Sequence, residues 1–198
     1  MPMHAHSITG LLAAGLLLGS ITGCSTNTPP STATPEDSKK PASPTEAKDQ
    51  PSGPRKLGTG SHWSDTDIDG SSISGTTTAL TYTQPARLDL SNEAADFKNP
   101  TWAILEVKVC ADTTSTSILV AQDPWALGFP DDTRLNAPQL SGSGVPQPEY
   151  PTGDGSLVTA GTCLKGKITF SLEHGTRPDT IVYAPEGRDP VEWAVPKT

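Results

Sequence analysis

Apolar and polar residues alternate along several short stretches in the second half of the chain. The clearest is Leu164–Leu172, where apolar residues at 164, 168, 170 and 172 alternate with Lys, Thr and Ser. Trp102–Cys110 repeats the pattern, with apolar residues at 105, 107 and 109 opposite charged residues at 106 and 108. A period of two with one polar face is typical of antiparallel sheets that face water on one side. Both stretches are predicted to be β-strands.

Shorter stretches of similar character lie on either side of these two, separated by Gly, Pro, Asn and Asp residues that favour turns. The further predicted strands are Thr76–Tyr82, Arg87–Leu90, Ser117–Ala121, Trp125–Gly128, Thr180–Tyr183 and Val191–Val195. Only Asn92–Lys98 is predicted to form a turn or two of helix. About seven short strands with regular turn signals predict an all-β domain, an antiparallel β-sandwich.

The N-terminal region has a different pattern, an uncharged apolar run that ends in Ile21-Thr22-Gly23-Cys24. This ending resembles the lipobox of bacterial lipoprotein signal peptides, which implies cleavage after residue 23 and acylation of Cys24. The run, Ile8–Ile21, has 14 residues, fewer than the roughly 20 that a membrane-spanning helix needs. We therefore expect a signal peptide at 1–23 and an extracytoplasmic protein that contacts the membrane through two acyl chains.

The first residues depart from the usual signal-peptide pattern, which begins with positive charge, because Met1–Ser7 contains no Lys or Arg. The alternative is ordinary secretion, with cleavage near Ser20 and a free thiol at Cys24.

Residues 24–58 are rich in Pro, Ser and Thr, and Leu57 is the only large apolar residue among them. Such a segment buries too little apolar surface to fold, so it is predicted to be a disordered linker.

Residues 59–198 remain as one domain of ordinary size. They carry eighteen Asp and Glu against nine Lys and Arg, a net charge of −9. This charge argues against nucleic acid as a partner, because binding to phosphates requires a basic surface. Cys110 and Cys163 are the two cysteines of this domain, and in an exported protein such a pair favours a disulfide over free thiols. A metal site is disfavoured because neither has a second ligand at finger-type spacing.

Four stretches resemble a known family. Trp102–Cys110, Thr159–Phe170, Val182–Pro185 and Glu192-Trp193 are similar to strands of secreted, telokin-like domains of unknown function, a family that includes an actinobacterial immunoprotective antigen. The resemblance covers roughly residues 75 to 196 and implies an immunoglobulin-like sandwich in a cell-surface setting. It implies no catalytic residues. The Cys110 and Cys163 pair resembles that of actinobacterial lipoprotein members.

An acidic run is the best candidate for a metal site. Asp65, Asp67 and Asp69 precede Gly70, as do the first ligands of a calcium loop. The twelfth position is Thr76, where that loop needs a glutamate. Calcium is the one cofactor that the sequence suggests, and the alternative is an acidic turn exposed to solvent.

Catalytic motifs are scarce. Beyond the signal peptide the only histidines are His62 and His174, and the sequence has no Gly-x-Ser-x-Gly motif. We therefore expect a protein that is not an enzyme, with an uncharacterised hydrolase as a remote alternative.

Two aromatic residues, Trp125 and Tyr150, lie beside prolines in loop-like sequence and are predicted to be exposed for binding, the alternative being packing against the sandwich. The expected function is presentation of loops or a sheet face to a partner. That partner would be an envelope protein, a cell-wall polymer or a host molecule. The competing hypothesis is a calcium-dependent or carbohydrate-binding module.

Overall fold

The computed structural model describes residues 53–197. Ten β-strands and one short 3-10 helix (Asn92–Ala94), with no α-helix, form in this part of the chain. The strands are β1 (Ser61–Thr66), β2 (Ser72–Thr83), β3 (Pro100–Ala111), β4 (Ile118–Val120), β5 (Trp125–Gly128), β6 (Arg134–Asn136), β7 (Ser156–Val158), β8 (Cys163–Glu173), β9 (Thr180–Tyr183) and β10 (Val191–Ala194). Within residues 53–197 no helix has the length and apolarity to cross a membrane.

The strands form two four-stranded sheets and one small sheet, all antiparallel. Sheet 1 has the order β1-β2-β3-β8, sheet 2 has the order β10-β9-β5-β6, and β4 pairs with β7. Every second residue of β3 and β8 is buried in a single core shared with sheet 2. The predicted class, an immunoglobulin-like antiparallel β-sandwich, is confirmed.

The strand list differs from the prediction in three places. Arg87–Leu90 is not a strand, because the chain leaves sheet 1 after β2 and has no neighbouring strand there to pair with. It passes over the outer face of sheet 1, where the Asp96 amide donates to Ser171 Oγ at 3.3 Å. The predicted helix Asn92–Lys98 is reduced to a single 3-10 turn. Strands β1, β6 and β7 were not predicted.

The loop that follows β6 adds a short segment to the edge of sheet 1. The Tyr150 amide donates to Lys167 O at 2.9 Å, and the Lys167 amide donates to Pro148 O at 2.9 Å. Gly166 makes this approach possible, since a Cβ at that position would lie 2.7 Å from the Tyr150 nitrogen and Cα. The loop therefore packs directly on the β8 backbone, with Tyr150 directed into the core.

The disulfide between Cys110 and Cys163 is formed, as predicted. The two residues are directly opposite each other on β3 and β8, and their Cα atoms are 4.0 Å apart. Because the Ala111 amide donates to Thr162 O, the cysteines occupy the adjacent non-hydrogen-bonded pair of the ladder. The bond joins the C-terminal end of β3 to the start of β8.

The folded region begins before residue 59. The Arg55 amide donates to Glu192 O, and Arg55 O accepts from the Ala194 amide, both at 2.8 Å. The Gly58 amide donates to Ala79 O in β2. The last residues of the predicted linker therefore belong to the sandwich. The predicted signal peptide at 1–23, Cys24 and the linker up to residue 52 lie outside the described residues.

The sandwich has two distinct ends. We call the end that contains the Cys110–Cys163 bond, the β1–β2 turn and the β9–β10 turn the disulfide end. We call the opposite end, which contains the β5–β6 turn (129–133) and the β8–β9 turn (174–179), the groove end. Strand β8 runs from one to the other, about 33 Å at the usual rise per residue.

Candidate functional site

The predicted aromatic binding pair is wrong, because both residues are in the core. Trp125 is 0 % exposed and Tyr150 is 1 % exposed. Trp125 begins β5 with its side chain inward and packs edge-to-face on Tyr150, with ring centroids 6.5 Å apart. It also contacts the rings of Tyr183 and Trp193 at centroid distances of 4.8 and 5.8 Å. Burial raises the pKa of Tyr150, so its phenol stays protonated. These aromatic residues stabilise the fold and do not form a binding platform.

The carboxylates of the predicted calcium loop, Asp65, Asp67 and Asp69, lie at the end of β1 and in the turn that follows it. Among residues 53–197, no three acidic, histidine or cysteine side chains lie close enough together to hold a metal ion. Asp65 and Asp67 each accept a 2.7 Å hydrogen bond from the next amide in the chain, and Asp69 accepts one from the Ser71 amide at 2.8 Å. The hydrogen bonds from Ser71 hold the pKa of Asp69 below its usual value. The run is an acidic β-turn that joins β1 to β2.

The two histidines lie at opposite ends of the sandwich. His62 Nε2 is 2.8 Å from Asp112 Oδ2, and this hydrogen bond lowers the pKa of Asp112. His174 is exposed in the β8–β9 turn. His62 is also largely exposed, with 62 % of its side chain accessible. The His62–Asp112 pair links the edge strand β1 to the loop after β3.

The disulfide end carries a group of exposed apolar side chains. Ile68, Leu119 and Leu157, the three exposed large apolar residues of the described part, have relative exposures of 105, 65 and 67 %. Leu119 and Leu157 are directly opposite each other in the β4–β7 pair, so their side chains form one patch. Ile68 occupies the β1–β2 turn, which hydrogen-bonds to the loop before β4 through Thr116.

Next to this patch, a cation–π contact connects β1 of sheet 1 with the β9–β10 turn of sheet 2. The Arg188 guanidinium lies 4.1 Å from the Trp63 ring centroid, and its Nε is 3.6 Å from Asp65 Oδ2. Trp63 Nε1 donates to Thr77 Oγ1 at 3.0 Å, which fixes the indole. Arg188 of the β9–β10 turn thus holds the edge of sheet 1 against sheet 2.

Two clefts lie on either side of this contact. One, of about 310 Å³, is bordered by His62 and Asp189. The other, of about 210 Å³, is bordered by Asp67, Ile73 and Leu119. The second cleft therefore connects the β1–β2 turn with the exposed leucine patch, and Trp63 and Arg188 line both clefts.

The charge around this site is negative. Three loops form the rim: 65–71, 112–117 and 184–190. They contain six carboxylates, at 65, 67, 69, 112, 186 and 189, and a single Lys or Arg, Arg188. Because Arg188 is already paired with Asp65, the rim as a whole repels anions and attracts cations.

None of the residues of this patch was singled out from the sequence. The signal for Leu119 is its place between Ile118 and Val120, since alternation puts the middle residue of such a strand on the solvent side. Leu157 lies likewise on the exposed side of β7. Their pairing depends on a contact between strands 38 residues apart, which local patterns do not encode.

No protein-family model matches the sequence, and no curated protein sequence matches it. Among solved structures, the fold is similar to the 1.5 Å crystal structure of MPT63, a secreted protein from Mycobacterium tuberculosis. The two chains are 18 % identical and superpose with a TM-score of 0.50, and the match covers 71 % of this chain and 95 % of MPT63. At this identity, the similarity establishes a shared fold alone.

Proposed function

We propose that the protein is a non-enzymatic recognition domain outside the cytoplasm, tethered to the membrane by an acylated Cys24. The surface it presents is the disulfide end. The partner we propose is an envelope protein whose contact surface combines apolar side chains with Lys or Arg.

Three observations support the extracytoplasmic location. The sequence Ile21-Thr22-Gly23-Cys24 resembles a lipobox, and the cysteines at 110 and 163 form a disulfide of the kind that persists in oxidising compartments. The fold is also similar to that of a protein described as secreted. A tether at Cys24 leaves about 30 residues before the first contacts of the sandwich, so the domain can stand away from the bilayer.

The observation that carries the recognition proposal is the leucine patch. Isolated exposed apolar residues are common on protein surfaces, but here Leu119 and Leu157 are neighbours beside a cleft lined by Trp63. Burying one leucine on binding contributes roughly 1.5–3 kcal/mol. The acidic rim adds attraction for a basic surface and repels like-charged ones.

Site-specific photocrosslinking on intact cells tests this proposal. Leu119 of the full chain is replaced by p-benzoylphenylalanine, and the matched control carries the same residue at His174, exposed at the groove end. We expect a discrete crosslinked protein from position 119 and none from position 174. Leu157→Asp in the same chain should lower the yield about tenfold, as expected for losing one buried leucine. Equal crosslinking from both positions, or a yield unchanged by Leu157→Asp, would contradict the proposal.

A carbohydrate-binding or calcium-dependent module is not proposed. The aromatic residues predicted to bind, Trp125 and Tyr150, are in the core, and the carboxylates at 65, 67 and 69 are each bound to a backbone amide.

A further inference from the structure

A groove of about 460 Å³ lies at the opposite end of the sandwich from the leucine patch. Its walls come from the segment after the 3-10 helix, the β5–β6 turn and the end of β8. Phe97, Phe129 and Leu135 form apolar walls, and Leu172, which is 1 % exposed, belongs to the core behind them. Clefts that bind small molecules are mostly apolar and have volumes of about 300–1,000 Å³. The groove has the size and lining of such a site.

Arg177 is the distinctive polar residue of this groove. Its guanidinium donates to the Gln84 carbonyl at 3.4 Å and the Pro196 carbonyl at 2.8 Å, and it lies 5.9 Å from the Tyr82 ring centroid. These partners are neutral, and in the described part of the chain no carboxylate lies within ion-pair distance of Arg177. Two of its five donors are therefore used, and three remain available to a ligand.

The other charges of the groove are arranged differently. Arg134 Nη2 lies 3.7 Å from Glu192 Oε1, so this second cation is paired. Asp131 and Glu173 are exposed at the rim, and Asp131 Oδ1 accepts hydrogen bonds from the Thr133 amide and hydroxyl. Water screens the rim carboxylates more than it screens the half-buried Arg177, so the inner part of the groove favours an anion.

We propose that this groove binds a small amphipathic carboxylate, with its apolar body between Phe97 and Phe129 and its carboxylate on Arg177. A guanidinium with free donors binds a carboxylate through charge-assisted hydrogen bonds, while the apolar walls remove the body of the ligand from water. The site is independent of the recognition surface at the disulfide end, because different loops form it.

The probe is decanoate, compared with decanol and decylammonium, which share its apolar body but not its charge. Each is titrated into the full chain while backbone amide signals are followed by NMR. Decanoate should shift the amides of Phe97, Thr133 and Arg177, and leave those of Leu119 and Leu157 in place. It should bind about tenfold more tightly than decanol, the size of effect expected for one charged hydrogen bond. Equal affinity for the three probes would overturn the proposal.

Two variants separate the contribution of the Arg177 charge from that of the shape of the groove. Arg177→Met should remove the preference for decanoate over decanol. Because this change also removes the contacts of Arg177 with Tyr82 and Pro196, a second variant, Thr176→Trp, fills the groove and leaves the guanidinium in place. Thr116→Trp at the disulfide end is its control. The proposal would be refuted if decanoate still shifted the groove amides in Thr176→Trp. It would also be refuted if these chemical-shift changes were lost equally in the control Thr116→Trp. Shifts of the same amides that depend on protein concentration alone would assign the groove to a second copy of this chain.

Discussion

Removing the disulfide is the perturbation whose effect is easiest to estimate from the structure. Cys110 and Cys163 are 53 residues apart in the sequence. In the chain-entropy model, closing a loop of this length stabilises the folded state by about 4 kcal/mol, because it restricts the unfolded chain. The strands that the bond joins are already paired along their whole length. Replacing both cysteines by alanine should therefore leave the fold intact and lower its stability.

The loss can be expressed as a change in melting temperature. Residues 53–197 are 145 in number, and unfolding entropy at the midpoint is about 2.1 cal/mol/K for each residue. A loss of about 4 kcal/mol then corresponds to a decrease of about 13 °C.

The assay is thermal and urea unfolding of the full chain, followed by circular dichroism. The Cys110→Ala, Cys163→Ala variant is compared with oxidised wild type and with Lys108→Ala, Lys165→Ala. These lysines form the next outward-facing pair of the same two strands, and Lys165 is exposed and Lys108 partly exposed. The lysine control should melt close to wild type, since surface charges contribute little. The urea m-value should rise in the cysteine variant, because its unfolded chain is less compact. A cysteine variant that melts with wild type would refute the reasoning.

Three further changes test other parts of the structure. Gly166→Ala should destabilise the domain by about 3 kcal/mol, since the new Cβ would meet the Tyr150 backbone at 2.7 Å; an unchanged melting temperature would contradict that packing. Thr169→Val should stabilise it by about 1 kcal/mol, because the buried Thr169 hydroxyl has no hydrogen-bond partner among the described residues; a lower melting temperature would show that the hydroxyl is needed. His62→Ala should raise the pKa of Asp112 towards its ordinary value, measured by NMR titration. Because the pKa of Asp112 is lowered in the folded state, the stabilisation by this pair is present above about pH 4 and is lost as the pH falls through the lowered pKa. A difference in the free energy of unfolding between wild type and His62→Ala that persists at lower pH would contradict this.

Two kinds of strand were predicted correctly: those in which apolar and polar residues alternate, and short apolar runs between turn residues. In β3 and β8 apolar and polar residues alternate because one side faces the core, while the other side is partly exposed and is buried at Thr169 and Ser171. β9 was predicted with its observed bounds, since a short β-branched run between turn residues leaves little choice. In contrast, β1 is polar at nearly every position and exists because β2 pairs with it.

The candidate sites were harder to predict, because each depends on contacts between distant segments. Local sequence places Tyr150 in a proline-rich loop, and only the absence of a side chain at Gly166 allows that loop to pack on β8. The leucine patch requires the pairing of β4 with β7. The calcium loop stays a prediction from spacing: the carboxylates at 65, 67 and 69 each accept a hydrogen bond from a nearby backbone amide.

The mass of the chain extracted from cell membranes tests the account most directly, because the proposed function requires export and tethering. We predict a polypeptide that begins at Cys24, carries covalently bound acyl chains there, and retains the linkage between Cys110 and Cys163. Its Cys24→Ala counterpart should lose the acyl chains and leave the membrane fraction. Recovery of a chain that still begins at Met1, without lipid and with three free thiols, would contradict the account.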